Sequence, residues 1–355
     1  SFGRGFFVLD DYSALRGMMN KENLDKTAKL FKPRDAKLFK PRNALGNTGG
    51  QYYVAENPTF GAVFTYHLNE IPETIKSKRK KIESLLNKEN DDIPFPGYDS
   101  LTDEMREKPA MLLLSINDSE GNLIRNVSQK PSKGTGKIVW DLKHKSYSTI
   151  TAYSGWREMT GPFVTPGNYS ATLYMQKDGN LELLDGPVEF NVNLLREGVL
   201  KGASFDEYNS HLNDIALLYK KYYQYSDTFN RLESKLNLLE KALLLSESLS
   251  EDSFNELKNV KVQYLSIKDK YGTSPSKNEI GEWDKPTIGS RLSIANEGLS
   301  TFYGPTGMNK YNLEVAKKLV DEYKNDVELI NNVVKDLEEK IKNLNHPHIS
   351  GSGIN

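Results

Sequence analysis

The 355-residue chain contains no cysteine, which excludes disulfides, thiolate nucleophiles and zinc sites built on Cys. No apolar run approaches the roughly 18 residues that a membrane-spanning helix needs. Neither sign of charge is in excess: 47 Lys and Arg stand against 48 Asp and Glu, a net charge of −1. That balance exerts no general pull toward nucleic acid or an anionic membrane. The short motifs that announce chemistry are missing as well. There is no GxxxxGK[ST], no GxGxxG leading into a helix, no HExxH and no GxSxG, so phosphate loops, zinc peptidases and nucleophile elbows are not indicated. We therefore expect no catalytic, cofactor or metal site in this chain. It opens Ser-Phe-Gly-Arg, with neither Met nor a signal peptide, and reads as a processed or excised piece.

What is present divides near residue 200. The first part is organised around Gly136–Leu173, where β-branched and aromatic runs flank a loop and Pro166-Gly167 turns the chain before the second run. Trp140 and Tyr169 are its large anchors, supported by Asp141, Pro166 and Gly167. Strands are predicted at Phe60–Leu68, around the SEGN turn of MLLLSIND-SEGN-LIRNV, at Gly136–Lys143, and at Tyr169–Gln176. Two more follow at Leu181–Leu184 and Pro187–Leu195, and Asp178-Gly179 predicts a type I′ hairpin turn. About seven strands in this span fit a two-sheet antiparallel sandwich of the immunoglobulin or fibronectin kind. Residues 73–90 read as a basic helical insertion, and Pro94–Pro109 as a proline-punctuated linker. The duplicated Leu-Phe-Lys-Pro-Arg at 30–34 and 38–42 reads as an extended connector that pins each Phe in a groove. The short apolar run Phe6–Leu9 reads as an orphan edge strand or the last strand of another domain.

After Ser204 the period becomes helical. Phe205, Tyr208, Leu212, Ile215, Tyr219 and Tyr222 step by three and four, continued by Leu232, Leu236, Leu239 and Leu243. An unbroken helix to Ser246 would be roughly 63 Å long, with a break near Ser226-Asp227 as the alternative. Phe254–Tyr271 is a second helix, and a third begins near Pro286. The last helix carries Leu313, Ala316, Val320, Tyr323, Val327, Ile330, Val334, Leu337, Ile341 and Leu344 at heptad spacing, which implies left-handed, coiled-coil-like packing. The fold class is thus α+β and multidomain: residues 1–50 an N-terminal strand and connector, 51–200 the sandwich, 201–346 an antiparallel three- or four-helix bundle, and 347–355 a flexible tail.

Candidate chemistry is sparse. Asp10 and Asp11 are adjacent on a predicted strand and face opposite ways, so they cannot serve one substrate. Asp91-Asp92 lies in polar linker. Asp118 and Glu120 match a calcium loop only in part. His346-Pro-His348 sits at a helix end, and His211 reads as a boundary residue. Tyr147, Tyr153 and Trp156 are the candidate carbohydrate contacts, because exposed aromatic rings in a row can stack on sugars.

Several segments, in order, carry a family resemblance: GRGFFVLDDYSALR, LFKPRDA, NPTFGAVFTYHL, KPAMLLLSINDSEGNLIR, GKIVWDLKH, GPFVTPGNYSATL and KPTIGSRL with FYGPTGMN. Together they resemble the C-terminal region of bacterial BNR-repeat proteins of the sortilin-like (VPS10-type) kind, often labelled glycosyl hydrolase. The resemblance covers nearly the whole chain. It implies that Phe6–Leu9 ends a β-propeller, followed by a sandwich and a helical bundle, in a protein exported to the periplasm or cell surface of a Gram-negative bacterium. The chain departs from the pattern in lacking the propeller and its Asp-box repeats, and none of the matching motifs is catalytic. The expected function is a non-catalytic scaffold making protein–protein contacts with an upstream propeller and other cell-envelope proteins. The alternatives are an accessory part of a propeller glycoside hydrolase or peptidase-like enzyme, and a carbohydrate-binding sandwich.

Overall fold

A computed structural model describes residues 11–41, 57–150 and 160–350. The predicted strand at Phe6–Leu9 lies outside them. The protein is mixed α+β, and its packing divides the chain into two units: Ser1–Lys145 with Thr160–Glu197, and Ser146–Met159 with Gly198–Asn355.

In the first unit, α1 (Ser13–Met18) and α2 (Lys21–Asp25) lead into β1 (Ala28–Leu30) and β2 (Ala36–Leu38). After β3 (Ala62–Leu68) come α3 (Ile75–Glu89) and α4 (Tyr98–Arg106). The remaining strands are β4 (Met111–Asp118), β5 (Leu123–Gln129), β6 (Gly134–Trp140), β7 (Lys143–Lys145), β8 (Thr160–Phe163), β9 (Gly167–Lys177) and β10 (Asn180–Leu194). One sheet has the order β1-β3-β6, a second β2-β10-β9-β4-β5, and β7-β8 form a ribbon. All pairs are antiparallel except β2 with β10.

The sequence duplication is not a connector draped over the surface. The same tripeptide, Ala-Lys-Leu, forms both β1 and β2, and the chain steps from one sheet to the other between them. In each copy Ala and Leu are buried while Lys is not, so a two-residue period operates within three residues. Phe31 is buried in the first copy, whereas Phe39 is exposed in the second and meets Phe60 edge-on at 4.9 Å.

Three other expectations need correction. The linker before β4 contains α4. The strand predicted across Gly136–Lys143 breaks at Leu142, whose φ is 57°. The two strands predicted after the hairpin are one 15-residue strand with irregular register between Leu183 and Val188, because a bulge absorbs Gly186-Pro187 without ending the pairing. The hairpin turn itself is as predicted, with Asp178 and Gly179 at φ 50° and 83°. Phe64 and Trp140 from the three-stranded sheet meet Phe190 of the five-stranded sheet at 5.1 and 6.0 Å, and Trp140 meets Tyr169 at 5.3 Å. Interdigitated rings of this kind form the core of the unit.

The second unit is built from α5 (Phe205–Leu244), α6 (Glu251–Tyr271), α7 (Pro275–Glu279), α8 (Ile288–Glu297) and α9 (Gly307–Lys342). Ser204 and Glu207 close a capping box at the start of α5, and Thr306 and Asn309 close one at the start of α9. The 40-residue α5 passes through Ser226-Asp227 without a break. Helix α8 begins after Pro286, with Thr287 as its N-cap. Every heptad residue of α9 from Leu313 to Ile341 named above is buried.

Ion pairs reveal the helix directions. Glu207–Lys310, Asp214–Lys317 and Lys235–Glu338 all join α5 to α9, and in each pair the α9 residue lies 103 positions later. The two long helices therefore run parallel. Lys261–Glu240 with Lys268–Glu233 sets α6 antiparallel to α5, and Lys270–Asp326 with Lys340–Glu256 sets it antiparallel to α9; α8 runs back in the same sense, with Arg291 at Asn312 and Ile294 at Asn309. Exposed pairs like these contribute about 0.2–1 kcal/mol each; the buried apolar stripe supplies most of the stability.

Candidate functional site

The residues singled out in the sequence fall into two places. Trp140, Asp141, Pro166, Gly167 and Tyr169 come together in the first unit. Trp140 is fully buried at the end of β6, and its indole N–H donates to the Lys143 carbonyl at 2.9 Å. This bond closes over Asp141 and Leu142, and Leu142 takes up the left-handed conformation. Gly61 lies directly against the kink, at φ 121°, and a Cβ there would sit 2.2 Å from the Trp140 carbonyl oxygen. Asp141 accepts from the Arg125 guanidinium at 2.7 Å, and Arg125 on β5 is itself buried. Pro166-Gly167 turns the chain into β9, so that the Tyr169 hydroxyl donates back to the Thr165 carbonyl at 2.7 Å. Burial pushes that phenol up to about 12, against the Thr165 bond and with help from the Asp118 charge.

Nearby, His144 on β7 is pushed down to about 4, chiefly by burial, with Asp118 pulling the other way and Lys145 adding to the depression. Asp118 is held by the turn it begins. Its Oδ1 accepts from the backbone N–H of Glu120 and of Asn122, at 2.9 and 2.8 Å. The loop that half-matched a calcium site is thus an Asx-type turn.

Asp185, not singled out in the sequence, is the other polar clamp. From the β10 bulge it accepts from the Leu30 N–H at 2.7 Å and the Lys29 ammonium at 3.0 Å. Burial raises its pKa, but these donors outweigh burial and hold it below the usual carboxylate range. An Asp-Gly-Pro inside a strand pattern was the available signal, since such a run marks a bulge that re-aims side chains.

Tyr147 belongs to the second unit. It stacks on Tyr219 at 5.1 Å, and its hydroxyl donates to Asn296. The two other candidate sugar contacts, Tyr153 and Trp156, lie outside the described residues. From Tyr219 the ring contacts continue through Tyr223, Tyr222, Tyr323 and Phe229 to Tyr264, and Tyr271 joins at Tyr323. Burial raises the phenols of Tyr147, Tyr208, Tyr222 and Tyr323, and pushes Tyr219, Tyr264 and Tyr271 up to about 12. Periodicity placed several of these tyrosines on helix faces, but not in one seam.

Some of the remaining candidates also have structural work. His211 is buried rather than at a boundary, with Nε2 3.0 Å from the Ala295 carbonyl. His346 Nδ1 bonds to the carbonyl of its own neighbour, Pro347. Asp11 accepts from the Ser13 N–H, Asp10 lies outside the described residues, and Asp91 and Asp92 are exposed. Among the described residues, no group of three or more His, Asp or Glu lies together as a metal site, and no helix is long and apolar enough to cross a membrane. No family model and no curated protein matches the chain.

Proposed function

We propose that the chain is a non-catalytic scaffold: an immunoglobulin- or fibronectin-like sandwich followed by a helical bundle, in an exported, sortilin-like BNR-repeat protein of the Gram-negative envelope. Its work is contact with an adjoining propeller and with other envelope proteins. One observation carries this reading. Among the described residues, polar groups that could carry chemistry are spent on the fold: Asp118 on its own turn and His211 on the Ala295 carbonyl among the sequence candidates, with Asp141 on Arg125 and Asp185 on the Leu30 amide beside them. A catalytic or sugar-binding site needs such groups to converge on an open cleft. The Tyr169 bond across the Pro-Gly turn supports the sandwich assignment, because a tyrosine corner of this kind recurs in immunoglobulin-like domains.

The test is affinity capture of envelope extracts on the full chain, followed by reconstitution of any recovered complex from purified components. A defined, reconstituted complex with an envelope protein is the expected result. A chain that captures nothing, yet binds a defined sugar on a glycan array, would replace the scaffold with the carbohydrate-binding reading.

A further inference from the structure

Helices α3 and α4 form an antiparallel hairpin with little apolar burial: neither helix has a fully buried residue, and Leu86 and Leu101 are half-buried. Glu107, just past α4, accepts from the Ile75 N–H at 2.6 Å, and Glu104 takes Arg79 in a two-pronged pair at 2.6 and 2.8 Å. These bonds fix which end is which. The base contains the start of α3 and the end of α4; the tip contains the end of α3, the 90–97 turn and the start of α4. Helices of this length are marginal in water unless an apolar face is covered. Here most of the apolar residues are open: Ile82, Leu85 and Met105 along the helices, and Ile93, Phe95 and Tyr98 at the tip. Phe95 and Tyr98 meet edge-on at 5.1 Å, so the tip presents a formed aromatic knob.

Charge is distributed unequally along the arm. Residues 73–82 with 103–108 carry seven Lys and Arg against four Asp and Glu, a net +3. Residues 88–99 carry one Lys against four Asp and Glu, a net −3. At the base, Lys76, Lys78 and Lys80 are exposed and make no ion pair among the described residues; at the tip, Asp91, Asp92 and Asp99 are likewise exposed. A surface that is positive at one end and negative at the other complements itself when turned through two-fold symmetry.

We infer that this arm is a docking surface for a second copy of the chain. Two arms lie antiparallel, each acidic tip against the other's basic base, with Phe95 and Tyr98 covering the partner's open aliphatic residues. An anionic lipid surface fits less well, because the tip carboxylates would face it.

Sedimentation of the full chain across a concentration range tests the inference. The chain should dimerise, and added salt should weaken the dimer. Asp91→Lys with Asp92→Lys, or Lys76→Glu with Lys78→Glu, should each weaken it about tenfold or more, while circular dichroism stays that of the parent. Mixing the two variants should restore a dimer, since both end-to-end contacts then pair opposite charges. A parent chain that stays monomeric, or a dimer that both reversals leave intact, would overturn the inference. So would a monomer that binds phosphatidylserine-containing vesicles.

Discussion

The two units both bury ionisable side chains, and the groups that burial shifts differ between them. The sheet unit holds His144, kept neutral by burial, beside a single raised phenol, Tyr169. The helical unit holds a run of tyrosines, kept protonated by burial. The contrast follows from how each core is closed. Facing sheets lock through a few large rings contributed by distant strands, and polar side chains near them serve as local clamps. Parallel long helices close along a repeating aliphatic stripe, and where α5, α6 and α9 meet, the stripe widens into phenol rings whose hydroxyls must be accommodated.

The largest effects should come from breaking one core without the other. Trp140→Ala removes the ring that touches both Tyr169 and Phe190, and should cost about 3–5 kcal/mol. Hydrogen exchange should then rise across β3, β6, β9 and β10 while α5 and α9 keep their protection. Leu292→Ala is the mirror experiment. Leu292 on α8 is fully buried, the cost should be about 2–5 kcal/mol, and the loss of protection should be confined to the helices.

Titration sharpens the comparison. A tyrosine whose folded pKa is raised costs nothing below its unfolded value near 10. Above that, unfolded chains ionise first, and stability falls as pH rises toward the folded value. Tyr169 is the one such phenol among the described residues of the sheet unit, so the helical unit should give way first in alkali. Tyr323→Phe should move that alkaline transition to higher pH with little effect at neutrality, read by tyrosinate absorbance and far-ultraviolet circular dichroism.

His144 has the opposite sign. Its folded pKa is depressed, so between about 6.5 and 4 the unfolded chain binds the extra proton and the sheet unit loses stability as pH falls. The loss should be about 2 kcal/mol at its full extent, allowing for partial solvent access. His144→Gln should flatten denaturant midpoints across that window.

Legibility in the sequence followed the range of the interactions. The α9 stripe could be read residue by residue, because its signal is local and repeats. The Asp178-Gly179 turn was equally plain, since two adjacent positive φ values demand that chemistry. Asp185 could be suspected only as part of a bulge, because the backbone it grips lies 155 residues earlier. The tripeptide β1 and β2 strands were hidden for another reason. Three residues are too few to show a period beside Pro33 and Pro41, and their pairing depends on strands far along the chain. Among the candidate sites, Trp140 and Tyr169 were legible as anchors from size and turn context, but Arg125, the partner that fixes Asp141, was not. Tyr147 was visible as an aromatic, while its partner Asn296 lies 149 residues away.

The opposed titration of the two units is most directly tested by hydrogen exchange on the intact chain after equilibration across the pH scale, with labelling at one common pH. Protection should be lost first in the β-strands as pH falls from about 6.5 to 4, and first in α5, α6 and α9 as it rises above about 10. Simultaneous loss in both units, or the reverse order, would contradict the account.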